Sequence, residues 1–127
     1  MIMFQKLMYL ALAGAAGTLV RYWLSGIVQR NIITEFPLGT AVVNLLGCLV
    51  FGILWAFLEN RLSIGGQVRI ILFVGFFGAF TTFSSLMFET AQLMEDSQWL
   101  WASSNVILQN ILGLVGIIIG LAIGRLI

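Results

Sequence analysis

Four long apolar runs separated by short polar breaks set the pattern of this chain. The first run covers about 4–28 and ends in "QRNIITEFP". The second covers 37–58, before "ENRLSIGGQ"; the third covers 68–94 and is closed by "MEDSQ"; the fourth covers 99–123. Each is long enough to cross the hydrocarbon core, which takes about 20 apolar residues as a helix. Pro37 suits the first turn of the second helix, where its missing N–H is no loss. Gly65 and Gly66 punctuate the second break. Trp99 and Trp101 open the fourth run, as aromatics at a membrane interface do. The pattern predicts an all-α membrane protein, one domain of four spanning helices over 1–127. The breaks are too short to hold a soluble domain, so any function must reside among the helices.

Composition sharpens this mainly by exclusion. Of the 127 residues 61% are hydrophobic and 9% charged, with a mean hydropathy of +1.08. That leaves too little polar surface to face water. A net charge of +1 without a basic block argues against a nucleic-acid partner. There is no histidine and one cysteine, Cys48, which removes the usual zinc and haem sites, Cys–His nucleophiles and an intrachain disulfide. Cys48 lies in the second span and reads as a small buried hydrophobe. Lys6, the apolar run after it and "ALAGAAG" imitate a signal peptide. The apolar character continues to Leu24, however, so this segment reads as an uncleaved first span. Three turns put both termini on one side, with Lys6, Arg61, Arg69 and Arg125; the other side carries Arg30. The positive-inside rule then places the termini in the cytoplasm.

Polar groups within apolar spans are costly and face protein or water. In the second span Thr40, Asn44 and Gly47 share a helical face. Taken alone, that face reads as interhelical glue, since an amide can donate and accept two hydrogen bonds each. In the fourth span Asn105, Gln109 and Gly113 share a face, with Asn110 one residue off it. Gly116, Gly120 and Gly124 extend it as a stripe that lets another span or subunit come close. Arg21 either snorkels to an interface or supplies positive charge to a water-filled vestibule. Glu89 either pairs with an arginine or lies near the surface.

The third span contains "GFFGAFTTFSS", residues 75–85, where two glycines and four hydroxyls interrupt an apolar helix. A break near 75–79 would leave helix carbonyls without donors. Such carbonyls cannot stay bare in hydrocarbon; water, side chains or a cation such as Na⁺ would satisfy them. Thr81 and Thr82 would then restart the helix with hydroxyl caps. A continuous helix with hydroxyls bonded back to i−4 carbonyls is the alternative, and the residues alone allow both. Phe80 and Phe83 flank the two threonines. The positive edge of a phenyl ring can meet an anion without a full positive charge.

Three blocks, "GAAGTLVRYWLS" (14–25), "FPLGTAVVNLLGCLVFG" (36–52) and "GFFGAFTTFSSLMFE" (75–89), fall in this order on successive spans. Together they resemble the Fluc, or CrcB-like, fluoride channel family. The resemblance implies a small four-span protein of the bacterial plasma (inner) membrane that assembles as an antiparallel, dual-topology homodimer. It implies passive, fluoride-selective conduction that relieves cytoplasmic fluoride toxicity, through two pores lined by both subunits. It also implies a structural Na⁺ at the dimer centre, held by carbonyls of the broken third helix. Carried over by motif, Phe83 is the first pore phenylalanine, Asn44 the pore-facing amide donor and Arg21 the vestibule arginine. Thr40, Thr82, Ser84 and Ser85 supply hydroxyls near the path, and the Gly78 and Thr81 carbonyls would hold Na⁺. The chain departs from the family pattern at Leu86, where a second pore phenylalanine is expected; either one ring per subunit suffices or Phe80 stands in. It departs again on the fourth span, where Gln109 and Asn105 replace a serine and a tyrosine and keep a polar track. The four-to-one charge distribution favours one orientation, whereas an antiparallel dimer of identical chains needs both.

Two other classes are weaker. A small multidrug-type antiporter needs a carboxylate in the first span, and the five acids are Glu35, Glu59, Glu89, Glu95 and Asp96. A non-transporting assembly subunit would use the glycine stripe and nothing more. No acid–base pair or metal cluster suggests an enzyme.

Overall fold

The computed structural model describes residues 3–61 and 65–127; the second polar break, and the Arg61 side chain invoked for topology, lie partly outside the described residues. Helix α1 runs Met3–Asn31 and α2 Leu38–Arg61. The third span is composite. It comprises α3, Gly66–Arg69; a π-helical segment, Ile70–Phe77; α4, Gly78–Phe80; and α5, Phe83–Glu95. Helix α6 runs Trp99–Leu126. Among the described residues four helical stretches are long and apolar enough to cross a membrane: Met3–Asn31, Leu38–Glu59, Gly66–Glu95 and Trp99–Leu126. Their ends differ from those read off the pattern by less than a helical turn.

In lipid there is no hydrophobic drive between helices, so close packing must hold them together. The glycine stripe of α6 does this against α2. A Cβ on Gly120 would run into the Leu49 carbonyl oxygen and stand 3.0 Å from Ile53 N. From the other side, a Cβ on Gly52 would stand 2.5 Å from the Ile117 carbonyl oxygen. The two backbones touch, and nothing larger than glycine fits between them. The stripe therefore packs within the subunit. Gly120→Ala is expected to destabilise the protein by about 1–3 kcal/mol through overpacking. Gly116→Ala is a built-in control, because its Cβ would meet Leu45 O at an ordinary 3.6 Å. Thermal unfolding in detergent should separate the two; equal melting temperatures would refute the tight seam.

The π-helical segment carries the aromatic half of the core. Phe73 stacks on Phe77 with centroids 6.0 Å apart, and Phe76 stacks on Phe80 at 5.8 Å. Phe51 of α2 meets Phe73 at 4.6 Å and Phe77 edge-on at 5.5 Å. Val43 and Leu58 complete this cluster. On the other side α1 lies against the same segment through small residues: a Cβ on Gly17 would run into the Phe76 carbonyl oxygen, and one on Gly75 would stand 2.9 Å from Ala13 Cβ.

The break falls at Thr81 and Thr82, C-terminal to the expected 75–79. Residues 75–79 stay helical because Gly75 there lets α1 approach and leaves the helix intact. The backbone turns extended at Thr81 (φ −82°, ψ 155°) and Thr82 (φ −146°, ψ 112°), conformations that suit β-branched residues. Thr82 then N-caps α5, its Oγ1 accepting the Ser85 N–H at 3.2 Å, the usual function of a threonine at this position. The continuous-helix alternative therefore fails, although Thr81 Oγ1 does bond back to Phe77 O at 3.0 Å.

Candidate functional site

The Thr82 N–H falls in the break, where no helical carbonyl accepts it, and Asn44 engages it together with the Thr82 carbonyl, which as N-cap also accepts the first bond of α5. Asn44 Oδ1 accepts the Thr82 N–H at 2.8 Å, and Nδ2 donates to the Thr82 carbonyl at 3.2 Å. The side-chain amide thus stands in for the backbone pairing that a buried peptide requires. Gly47, a turn further along α2, gives Thr81 room: a Cβ there would collide with the Thr81 methyl. The polar face of the second span is shaped to hold the break.

From Asn44 the bonding continues into α6 and returns to α5. Asn44 Nδ2 donates to Gln109 Oε1 at 2.8 Å, and Gln109 Nε2 donates to Asn105 Oδ1 at 2.7 Å. Asn105 Nδ2 donates to Thr90 Oγ1 at 3.0 Å and to Leu86 O at 3.4 Å; Thr90 Oγ1 also donates to Leu86 O at 2.7 Å. Asn105 is fully buried and Gln109 nearly so. Thr90 was not picked out from sequence, since "ETAQ" resembles a surface turn of helix. Its signal was its place one turn after Leu86 on the same face.

A cavity of about 200 Å³ opens at this point, lined by Asn44, Thr81, Thr82, Phe83, Leu86 and Gln109 among others. None of its lining residues is charged. Phe83 is 68% exposed while Phe80 is 7% exposed, so the two rings part company: Phe83 faces the cavity and Phe80 belongs to the aromatic core. Thr82 Oγ1 lies 3.3 Å from Ser84 Oγ and donates to Ser85 Oγ at 3.0 Å, which gathers the hydroxyls at the start of α5. Cys48, one turn beyond Asn44, is half-buried and lines the same cavity.

The carbonyls of residues 78–81 at the break lose the donors that a continuous helix would give them, the two named from the motif among them. In a continuous helix Gly78 O would accept from Thr82 N–H and Thr81 O from Ser85 N–H. Here Thr82 N–H goes to Asn44 and Ser85 N–H to Thr82 Oγ1. These are the two carbonyls assigned to a cation from the motif.

Thr40 and Glu89 sit apart from this cavity. Thr40 Oγ1 donates to Glu89 Oε1 at 2.5 Å, and the other carboxylate oxygen, Oε2, is buried with no hydrogen-bond partner among the described residues. Both line a second cavity of about 460 Å³ with Tyr22, Ser25, Glu35 and Asp96. The carboxylate of Glu89 is therefore bound to a hydroxyl instead of an arginine. Arg21 precedes Tyr22 of that cavity, and its Nε is buried with no hydrogen-bond partner among the described residues.

Four membrane-length helices among the described residues, one of them broken where uncharged polar groups gather, define a multi-pass integral membrane protein. Residues 8–121 match the family described as CrcB-like protein, Camphor Resistance (CrcB), and the chain belongs to that family. A relative from Nitrosococcus oceani is 54% identical over 125 residues, covering 98% of this chain and 100% of its own. One from Solidesulfovibrio magneticus is 50% identical over 125 residues, with the same coverage. One from a Geobacter species is 40% identical over 121 residues, covering 95% of this chain and 98% of its own. Each of these relatives is named fluoride-specific ion channel FluC.

Proposed function

We propose that this chain forms a fluoride-selective channel in the bacterial plasma membrane, an antiparallel homodimer with two pores that lets fluoride leave the cytoplasm passively. The observation that carries this reading is the uncharged cavity at the break, walled by the Phe83 ring, threonine hydroxyls and amides. A small, tightly hydrated anion needs contacts that replace water without holding the ion too long. Ring edges, hydroxyls and amide N–H groups are such contacts, whereas a lysine or arginine in the narrow part would bind too strongly. The names of the relatives point the same way. Phe83 is the ring that meets the anion, and Phe80 keeps to the core. Leu86 leaves one ring per subunit at the cavity, and a second subunit placed against the exposed Phe83 would close it.

The Gly78 and Thr81 carbonyls, with their usual donors engaged elsewhere, fit a Na⁺ held by backbone oxygens at the dimer centre. Bound there, Na⁺ supplies positive potential and braces the break. Replacing Na⁺ with N-methylglucamine is expected to lower the melting temperature. The stabilisation removed is about 2.7 kcal/mol if Na⁺ was at about 100 times its dissociation constant. An unchanged melting temperature would remove Na⁺ from the proposal.

The function itself is tested with a fluoride electrode on purified protein in liposomes loaded with fluoride and chloride. Fluoride release without chloride release is the expected result. Folded protein that releases neither would overturn the channel and leave an assembly subunit.

A further inference from the structure

The two ends of the subunit carry opposite charge. The end with both termini holds Lys6, Arg61, Arg69 and Arg125 against one acid, Glu59; the other end holds Glu35, Glu95 and Asp96 against Arg30. Among the described residues Lys6, Arg69 and Arg125 have no carboxylate partner. The basic end therefore keeps its surplus of positive charge for something outside the subunit.

Arg69 differs from the other cations there in being held. Its guanidinium carbon stands 5.7 Å from the centroid of the Trp55 ring. Trp55 is itself fixed, stacked on Phe51 at 6.1 Å and set edge-on to Phe73 at 5.1 Å. The ring attracts the cation but offers none of the oxygen acceptors that its five N–H groups take. Arg125 comes to the same level from the other side of α2, because a Cβ on Gly124 would stand 2.9 Å from Ala56 Cβ. Trp55 and the neighbours of Arg69, Val68 and Ile70, are exposed. A cation beside a tryptophan at the end of a spanning helix lies at the depth of lipid headgroups, and the apolar flanks lie where acyl chains run.

The chemistry selects among headgroups. A planar guanidinium binds phosphate through two parallel N–H groups. A zwitterionic headgroup brings its own cation beside that phosphate, against the surplus already present at this end. An anionic headgroup brings none, and each nearby Lys or Arg adds to its attraction. We infer that Arg69 and Trp55 form a binding site for the headgroup phosphate of an anionic phospholipid. Arg69 donates to the phosphate, Trp55 holds the guanidinium in place, and Arg125 and Lys6 add attraction. The site rests on the membrane fold alone and is independent of the channel reading.

The test is native mass spectrometry of the whole protein in neutral detergent, titrated with phosphatidylglycerol or with phosphatidylcholine of the same acyl chains. Phosphatidylglycerol is expected to be retained at several-fold lower concentration. Arg69→Gln should weaken its retention about fivefold, the effect of one cation near a charged membrane surface. Arg30→Gln, at the acidic end, should leave it unchanged. Arg69→Lys keeps the charge and loses the fork; it should fall between the wild type and Arg69→Gln, and it carries the test where Arg69→Gln does not fold. Equal retention of the two lipids would overturn the inference. So would wild-type affinity in a folded Arg69 variant, or equal weakening by Arg30→Gln. Displacement of the lipid by excess inorganic phosphate would assign the site to a soluble anion and overturn the lipid.

Discussion

Asn44→Leu is expected to cut fluoride flux by about 100-fold or more and to abolish the dependence of stability on Na⁺. The loss of flux corresponds to about 2.7 kcal/mol, at 1.4 kcal/mol for each factor of ten. Leucine keeps the branched outline of asparagine, with bulkier methyl groups in place of the amide, and returns none of the three hydrogen bonds to Thr82 and Gln109. The magnitude of the stability change follows from what the freed groups do next. Interhelical hydrogen bonds in membranes average about 0.6 kcal/mol, since groups freed in lipid find other partners. The partner that a continuous helix gives the Thr82 N–H is the Gly78 carbonyl, and taking it would heal the break into continuous helix. Stability should therefore fall by only about 1–3 kcal/mol while the site disappears. Liposome efflux reports the first effect. Melting curves in Na⁺ and in N-methylglucamine report the second, and hydrogen exchange at the Thr82 amide shows whether it has regained a backbone partner. Flux at the wild-type level would mean that the break is not held by Asn44.

The extent to which the site could be read in the sequence follows from how local its physics is. The four spans were legible because each is a long apolar run, and apolarity over that length has one meaning in a membrane. The polar faces of α2 and α6 were legible as faces, because Thr40, Asn44, Asn105 and Gln109 recur at helical spacing. That they meet one another was not, since helical spacing says which residues share a side and nothing of what stands opposite. The position of the break was misjudged for a related reason. Gly75 looks like a helix breaker when read alone, yet it is space for α1. What ends the helix is Asn44, distant in sequence, taking the Thr82 peptide. Phe80 and Phe83 looked like a pair at three-residue spacing. The extended backbone at Thr81 and Thr82 resets the rotation between them and sends one to the core and the other to the cavity.

That separation makes the two phenylalanines dissociable by experiment, with the largest contrast at Phe83. Phe83→Ile is expected to lower fluoride flux at least about tenfold, which is about 1.4 kcal/mol of lost ring–anion interaction. Isoleucine keeps the position apolar and removes the positive ring edge. Because Phe83 is 68% exposed in the subunit and faces the cavity instead of the aromatic core, the substitution should change the stability of the subunit fold by no more than about 0.5 kcal/mol. Phe80→Ile should do the reverse. It removes a ring stacked on Phe76 and set edge-on to Phe77, and aromatic pairs of this kind contribute about 0.5–1.5 kcal/mol each beyond burial. Its cost should appear in the melting curve first, with flux per folded channel largely retained. Phe83→Tyr separates ring from volume, since it keeps the edge and should keep most of the flux. If Phe83→Ile conducts like the wild type while Phe80→Ile does not, the anion passes on the core side of the break, and the cavity beside Gln109 is not the route.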